Sequence, residues 1–137
     1  MNQKRHISPL LTAGSGVVQG EVHLSLVDDP YQNLAYENYL LRHCWRNRYH
    51  LFLWQSLPSV VIGRFQNPLR ECDLHYVNQH NTLLVRRQSG GGAVYHDQGN
   101  LNFSLIADND FFDQELNHQL ILKLLSDFNL EGEFNQY

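Results

Sequence analysis

Three consecutive glycines, residues 90–92, are the sequence feature that most constrains the fold of this chain. Because glycine has no Cβ, its backbone adopts positive φ easily, and another molecule can lie directly against its amides. The apolar run of residues 82–85 ahead of the glycines predicts a buried strand, and Arg86 and Arg87 follow it. The sequence therefore predicts a loop fixed to a rigid element, beside guanidinium groups that suit phosphate or carboxylate.

Strand-like sequence also follows the glycines. Residues 93–95 and 101–106 are rich in apolar and aromatic side chains, and the polar residues 96–100 between them predict a turn. We therefore expect a hairpin beside the loop. Because successive side chains of a strand point to opposite faces, only one of Arg86 and Arg87 can easily reach the loop, and we expect it to be Arg87.

Three glycines alone are most simply interpreted as a solvated turn, but the whole string is more specific. RRQSGGGAVYHDQGNLN, residues 86–102, closely resembles the signature of lipoate–protein ligases and lipoyltransferases, which winds around an acyl-adenylate. Two further blocks are similar to the same family in the same order: PYQNLAYE at residues 30–37 and LFLWQSLPSVVIGRFQNPLREC at residues 51–72. The chain is thus identified as a member of this family on three blocks.

The resemblance implies an α+β fold, with helices packed on an antiparallel-rich sheet, as in the catalytic domains of biotin and lipoate protein ligases. The residue patterns independently favour that class. Alternation in residues 21–27 predicts a half-buried strand, and Asp29 followed by Pro30 predicts the start of a helix that runs to about residue 46.

Four further elements are predicted downstream. Residues 49–54 and 59–63 are aromatic and β-branched, which favours a second hairpin-like pair. Residues 72–79 indicate a short helix, and residues 111–129 an amphipathic helix with Asp110 as a possible cap.

Composition excludes several classes of protein. The net charge of −4 and the lack of an apolar run near 20 residues argue against a nucleic-acid surface and a membrane span. Two cysteines, Cys44 and Cys72, provide no disulfide framework. The eight histidines lack HExxH or paired Cys/His spacing, so no metal site is predicted.

The resemblance implies that a lipoyl-adenylate lies along the glycine loop. The candidate ligand-binding residues are Arg87, Ser89, Gly90, Gly91, Gly92, Ala93, Val94, Tyr95 and His96, of which residues 92–95 match the family's ATP-contacting segment position by position. Second-rank candidates are Arg64, Arg86, Asp97 and Asn102. Candidates for an apolar slot that receives the dithiolane tail are Trp54, Val61, Phe65 and Val94.

Simpler roles remain open for several of these side chains. Contacts that stabilise the turn are an equal alternative for Ser89 and His96, and Asp97 either orients His96 or caps that turn. Arg64 has Glu71 and Asp73 as alternative surface partners, and Asn102 is otherwise a sheet residue that faces solvent. A thioester-forming Cys72 is disfavoured, because nothing beside it plainly lowers its pKa.

By resemblance, the complete enzyme joins lipoate to AMP with ATP and Mg²⁺ and then transfers the lipoyl group to a lysine. The acceptors are the lipoyl domains of 2-oxoacid dehydrogenase complexes and the glycine cleavage H protein. Activation is needed because a free carboxylate is a poor electrophile. Three alternatives stay open: a non-catalytic fragment that binds lipoyl-AMP, a transferase that uses preformed lipoyl-AMP, and an octanoyl- or biotin-transferring relative.

The family's lysine falls beyond residue 137, and Lys123 in the amphipathic helix does not replace it. We therefore expect residues 1–20 to be a flexible lead-in and residues 21–137 to be the N-terminal part of a catalytic domain, which by itself does not lipoylate an acceptor. The first 20 residues make a weak presequence, so bacterial cytoplasm is favoured, with the mitochondrial matrix as the alternative.

Overall fold

The structure, a computed structural model, describes residues 4–5, 11–13, 16–43, 48–108, 110 and 112–134, with side chains from residue 20 onward. In chain order its elements are β1 (Lys4–Arg5), β2 (Leu11–Ala13), β3 (Gly16–Leu24), α1 (Pro30–His43), β4 (Arg48–Trp54), β5 (Ser59–Ile62), α2 (Pro68–Glu71), α3 (Leu74–Gln79), β6 (Leu83–Arg86), β7 (Val94–His96), β8 (Asn102–Ile106) and α4 (Gln114–Asp127). None of the described helices combines the length and apolarity needed to cross a membrane.

The strands form two sheets. In the larger sheet the order is β1–β3–β4–β8, and β2 also pairs with β3; in the smaller sheet the order is β6–β5–β7. The β3–β4 and β5–β6 pairs are parallel, and the other four described pairs are antiparallel. The α+β class with an antiparallel-rich sheet is confirmed.

Both predicted hairpins are wrong, although their strands exist. β4 pairs with β8, where Trp54 lies opposite Asn102, and β5 pairs with β7, where Val61 lies opposite Val94. The chain crosses from one sheet to the other between β4 and β5 and crosses back between β7 and β8. Apolar patterns and turn residues locate strands, but they do not say which strands pair.

Asn33 helps to hold the first crossing in place. Its side chain is 1% exposed, and its Nδ2 donates to the carbonyl oxygens of Val27 and Gln55, each at 3.0 Å. Beyond Gln55, the buried hydroxyls of Ser56 and Ser59 lie 2.9 Å apart. These contacts fix the path between the two sheets, and therefore the position of β5.

Helix α1 begins where the sequence predicts. Asp29 Oδ1 accepts hydrogen bonds from the amides of Tyr31 and Gln32 at 2.8 and 3.2 Å, and Pro30 is the first helical residue. The helix packs on the larger sheet. The buried cluster between them consists of Leu40, Phe52, Trp54 and Ile106, with Leu34 and Tyr36 against it.

Other boundaries differ from the predicted ones. β3 begins at Gly16, inside the segment expected to be a lead-in, and the division at residue 20 stays a prediction. Helix α3 begins at Leu74, with Asp73 as its N-terminal cap, rather than at residue 72 as predicted. Helix α4 is capped by Asp113 rather than Asp110: Asp113 Oδ1 accepts from the amide of Leu116 at 3.0 Å. Cys44 lies outside the described residues.

Candidate functional site

The glycine loop, residues 88–92, lies against the end of β5. A Cβ placed on Gly63 would come within 2.2 Å of the carbonyl oxygen of Gly91, so the two backbones are in direct contact. The Arg64 amide donates to the Ser89 carbonyl at 2.9 Å. The role of Gly63 was not predicted from the sequence, although a glycine at the end of a strand-like run is one signal of close backbone approach.

Arg87 holds the loop in its conformation. Its Nε and Nη2 donate to the Gly90 carbonyl at 3.1 and 2.7 Å, Nη2 donates to Gly92 at 2.8 Å, and Nη1 donates to Val61 at 3.2 Å. A guanidinium has five N–H donors, so one N–H on Nη1 has no partner among the described residues. The main role of Arg87 in the structure is therefore to support the loop. One N–H on Nη1 and the positive charge are not used by these backbone contacts.

Of the two other arginines near the loop, Arg86 supports a neighbouring turn and Arg64 lies over an aromatic ring. Arg86 Nη1 donates to the carbonyls of Gly63, Arg64 and Gln66, in the turn that follows β5, at 2.9, 3.0 and 2.8 Å. The Arg64 guanidinium lies 5.2 Å from the centre of the exposed Phe65 ring. Among the described side chains, no ion pair joins Arg64 to an acidic residue.

The three loop glycines have different surroundings. Gly91 has a φ of +92°, and a Cβ on it would lie 2.7 Å from Arg87 Nη2. A Cβ on Gly90 or Gly92 would meet nothing within 4 Å. Gly91 is thus required by the conformation of the loop itself, whereas Gly90 and Gly92 face open space.

Three buried polar atoms around Trp54 have no hydrogen-bond partner among the residues that the structure describes: Trp54 Nε1, His96 Nδ1 and Asn102 Nδ2. Trp54 is 4% exposed, its ring stacks on that of His96 with centroids 5.7 Å apart, and it lies opposite Asn102 on β8. Buried polar groups are nearly always hydrogen-bonded. Three such atoms at one place mark a position for polar atoms of a ligand or of water, and they show that Asn102 does not simply face solvent.

His96 lies within the field of Arg87. Burial lowers the pKa of His96 below its ordinary 6.5, the positive charge of Arg87 lowers it further, and the nearby Asn102 amide opposes the shift. Both lowering effects disfavour the charged imidazolium. His96 is therefore neutral at pH 7 and can accept or donate one hydrogen bond at each nitrogen, according to its tautomer.

This state of His96 can be measured by NMR. We expect its ring to titrate below the ordinary value of about 6.5, with the midpoint raised in Arg87→Ala and lowered in Asn102→Ala. With a lowered pKa in the folded state, the unfolded chain binds the proton more readily than the folded chain does. The contribution of His96 to stability is therefore present above pH 6.5, the ordinary pKa, and is lost as the pH falls through the pKa of the folded state. A midpoint at or above about 6.5, the ordinary value for histidine, would contradict the burial.

The remaining candidates differ in exposure. Ser89 is exposed, as are Val94 and Tyr95 with 49% and 52% of their surface accessible, and Ala93 is half-buried. Asp97 Oδ1 accepts from the Gly99 amide at 2.8 Å, so Asp97 caps the turn, while His96 Nδ1 has no partner. Of the candidates for an apolar slot, Trp54 and Val61 are buried, whereas Phe65 is 85% exposed.

Cys72 is a poor candidate for a nucleophile. Burial raises the pKa of its thiol, and the neighbouring carboxylate of Glu71 raises it further. A raised pKa keeps sulfur in the less reactive protonated form. An acyl-thioester route through this residue is therefore disfavoured.

Comparisons with known proteins point to one family. The family model of the lipoyl protein ligase A/B catalytic domain matches residues 29–137. The mitochondrial lipoyl amidotransferase of Mus musculus is 42% identical to the chain over 123 residues, which make up 89% of this chain and 33% of that protein. The chain spans about a third of the length of the curated relatives it matches.

Solved structures agree with this assignment. P. falciparum LipL1 in complex with lipoate matches with a TM-score of 0.80 and 33% identity, covering 85% of this chain and 39% of that chain. A lipoate-protein ligase A bound with ATP matches with a TM-score of 0.69 and 33% identity, covering 82% of this chain and 50% of that chain.

Proposed function

Since this chain belongs to the family of lipoyl protein ligase A/B catalytic domains, we propose that it binds a lipoyl-adenylate at the glycine loop and serves protein lipoylation. The ligand-binding residues are Arg87, Ser89, Gly90, Gly91, Gly92, Ala93, Val94, Tyr95 and His96. Arg64, Arg86, Asp97 and Asn102 are second-rank contributors. Membership of the family supports the class of ligand, and the geometry of the loop supports its position.

The proposal rests on the three unpartnered buried atoms of Trp54, His96 and Asn102, of which His96 is close enough to Arg87 to be affected by its charge. Trp54 Nε1 and Asn102 Nδ2 are donors only, so the group that completes them is an acceptor. A carbonyl or phosphate oxygen of an acyl-adenylate is such an acceptor. Neutral His96 adds a third position that adapts to either role.

Arg87 prepares the loop before the ligand arrives. Its four hydrogen bonds to backbone carbonyls fix residues 90 and 92, and its charge stays close to the ligand position. Donors and charges fixed in advance stabilise the negative charge that develops on phosphate and carbonyl oxygens during acyl transfer. Arg86 supports the adjacent turn and reaches the ligand only through it.

The proposed substrates are lipoate and ATP with Mg²⁺. A lipoate complex and an ATP complex among the similar structures support the first two. Mg²⁺ is proposed to be held mainly through nucleotide phosphates, as is usual for this ion, because the nearby Asp97 is engaged in its own turn.

The proposed acceptors are the lipoyl domains of 2-oxoacid dehydrogenase complexes and the glycine cleavage H protein. Of the two compartments considered from the sequence, we favour the mitochondrial matrix over the cytoplasm, because the similar amidotransferases of Mus musculus and Homo sapiens are mitochondrial. Similarity to these amidotransferases also favours a second candidate activity, transfer of a lipoyl group from a preformed donor without ATP.

Calorimetric titration of the chain tests the proposed ligand. Lipoyl-AMP should bind saturably at one site and at least about tenfold more tightly than AMP or lipoate alone, since it occupies both halves of the site, and tenfold corresponds to about 1.4 kcal/mol. Biotinyl-AMP is the control for the acyl group. Equal affinity for AMP and lipoyl-AMP would leave the loop a plain nucleotide site and would refute the proposed lipoyl specificity.

A further inference from the structure

A second cluster of polar side chains lies away from the glycine loop, between β3 and β4. It consists of Glu21, His23 and His50, whose ligand atoms lie within 4.8 Å of one another. Glu21 and His23 are two residues apart on β3 and so share one face of the strand, and Glu21 lies opposite His50 in the parallel register. His50 is four residues from Trp54 on β4, about 13 Å along the strand.

The donor atoms of the cluster converge. His23 Nε2 and His50 Nδ1 are 3.0 Å apart, and Glu21 Oε2 lies 3.8 Å from the first and 3.9 Å from the second. In a tetrahedral zinc site with bonds of about 2.0–2.1 Å, donor atoms are separated by about 3.3 Å. The three observed separations lie on both sides of that value, so small side-chain rotations bring all three donors to one ion.

Neighbouring residues already orient two of the three donors. Tyr36 Oη lies 3.0 Å from His23 Nδ1, which fixes the ring and leaves Nε2 directed at the cluster. Arg48 pairs with Glu21 Oε1, so Oε2 faces the imidazoles. Hydrogen bonds of this kind to the outer atoms of ligands are typical of metal sites, where they set ring orientation and ligand basicity.

We propose that Glu21, His23 and His50 form a Zn²⁺ site, in which Glu21 Oε2, His23 Nε2 and His50 Nδ1 are the protein ligands and a water is the fourth. The ligands are of the types and number that zinc takes in proteins, two imidazoles and a carboxylate. His23 and His50 are buried, and the side chain of Glu21 is 18% exposed, which leaves a route for the ion. Zn²⁺ at this position joins β3 to β4 beside α1.

Sequence analysis missed this site for a physical reason. Its ligands come from two strands that are far apart in the sequence, and only their parallel pairing brings Glu21 beside His50. Motifs such as HExxH detect ligands on one helix, where spacing in the sequence fixes spacing in the fold. A Glu-x-His pair on one strand has no such signature.

The test uses the 137-residue chain freed of metal by a chelator and then titrated with Co²⁺, whose visible absorption reports tetrahedral ligation. We expect one equivalent to bind, to be displaced by Zn²⁺, and to be weakened by about 100-fold or more in Glu21→Gln and in His23→Gln. Tyr36→Phe, which removes only the hydroxyl that orients His23, should weaken binding by about tenfold, as outer hydrogen-bond partners do in other metal sites. His75→Ala on exposed α3 is the matched control and should bind as the unchanged chain does.

Two results would overturn the site. One is no absorption band from the unchanged chain at one equivalent of Co²⁺. The other is Co²⁺ binding by Glu21→Gln and Tyr36→Phe with the same affinity as by the unchanged chain. These two substitutions keep the packing, so they test the site even if a histidine variant fails to fold. Zn²⁺ should also raise the thermal midpoint of the unchanged chain but not that of Glu21→Gln, because only an ion that binds the folded state stabilises it.

Discussion

Replacement of Arg87 by alanine is expected to lower the affinity for lipoyl-AMP at least about 100-fold. The substitution removes four hydrogen bonds from a guanidinium to the carbonyls of Val61, Gly90 and Gly92. A hydrogen bond to a charged group contributes about 1.5–3 kcal/mol, so a loop released from two of the four must be ordered again on binding at a cost of about 3 kcal/mol, which corresponds to more than 100-fold in affinity. Calorimetric titration with lipoyl-AMP measures the change.

Two further variants distinguish the hydrogen bonds of Arg87 to the loop from the effect of its positive charge alone. Arg87→Lys keeps the positive charge but lacks the planar fork that contacts three carbonyls, so we expect it to lose nearly as much affinity as Arg87→Ala. Arg70→Ala, which removes an exposed arginine of α2, should change little. If Arg87→Lys bound lipoyl-AMP as the unchanged chain does, charge alone would account for Arg87, and its contacts with the loop would be incidental.

Gly92→Val is expected to abolish measurable binding of lipoyl-AMP while leaving the fold intact. Gly92 has no positive φ, and a Cβ on it meets nothing within 4 Å, so the side chain fits the protein and occupies the space of the ligand. A substitution at an open surface position usually changes the free energy of unfolding by no more than about 0.5 kcal/mol. Thermal unfolding and calorimetric titration of the same sample give the two quantities.

Gly91→Val is the matched comparison, because the same change one residue earlier has a different effect. At Gly91 the φ of +92° is strained for valine, and its Cβ would lie 2.7 Å from Arg87 Nη2. Positive φ costs a residue with a Cβ roughly 1–2 kcal/mol, so this variant should lose stability as well as binding. If Gly92→Val lost as much thermal stability as Gly91→Val, the face of Gly92 would not be open, and the ligand position would have to be moved.

Features that depend on neighbouring residues along the chain were predictable from the sequence. Asp29 and Pro30 start α1 because a cap and a first helical residue act within one turn. Arg87, the residue after β6, contacts the glycine loop and Arg86 does not, because neighbouring side chains of an extended chain point to opposite sides. Each of these results follows from a spacing that the sequence displays directly.

Features that depend on distant pairing were not predictable in the same way. The hairpins failed because β4 and β5 belong to different sheets, although each strand was located correctly. The contact of Gly63 with Gly91 depends on the parallel pairing of β5 with β6. The convergence of Trp54, His96 and Asn102 arises only when the two sheets are placed together. The resemblance named the ligand class from residues 86–102, but it did not show that the Arg87 guanidinium supports the loop itself.

Binding of the acyl-adenylate at the unpartnered atoms of Trp54, His96 and Asn102 is the proposal on which the site depends. It is tested most directly by NMR of the ¹⁵N-labelled chain, with the Trp54 indole N–H assigned through Trp54→Phe and followed as lipoyl-AMP is added. We predict that the Trp54 indole and the Gly92 amide shift saturably with one shared Kd, while the Gly132 amide, in the segment after α4, does not move. Saturable binding that leaves the Trp54 indole and the glycine amides unshifted would place the ligand elsewhere and contradict the account.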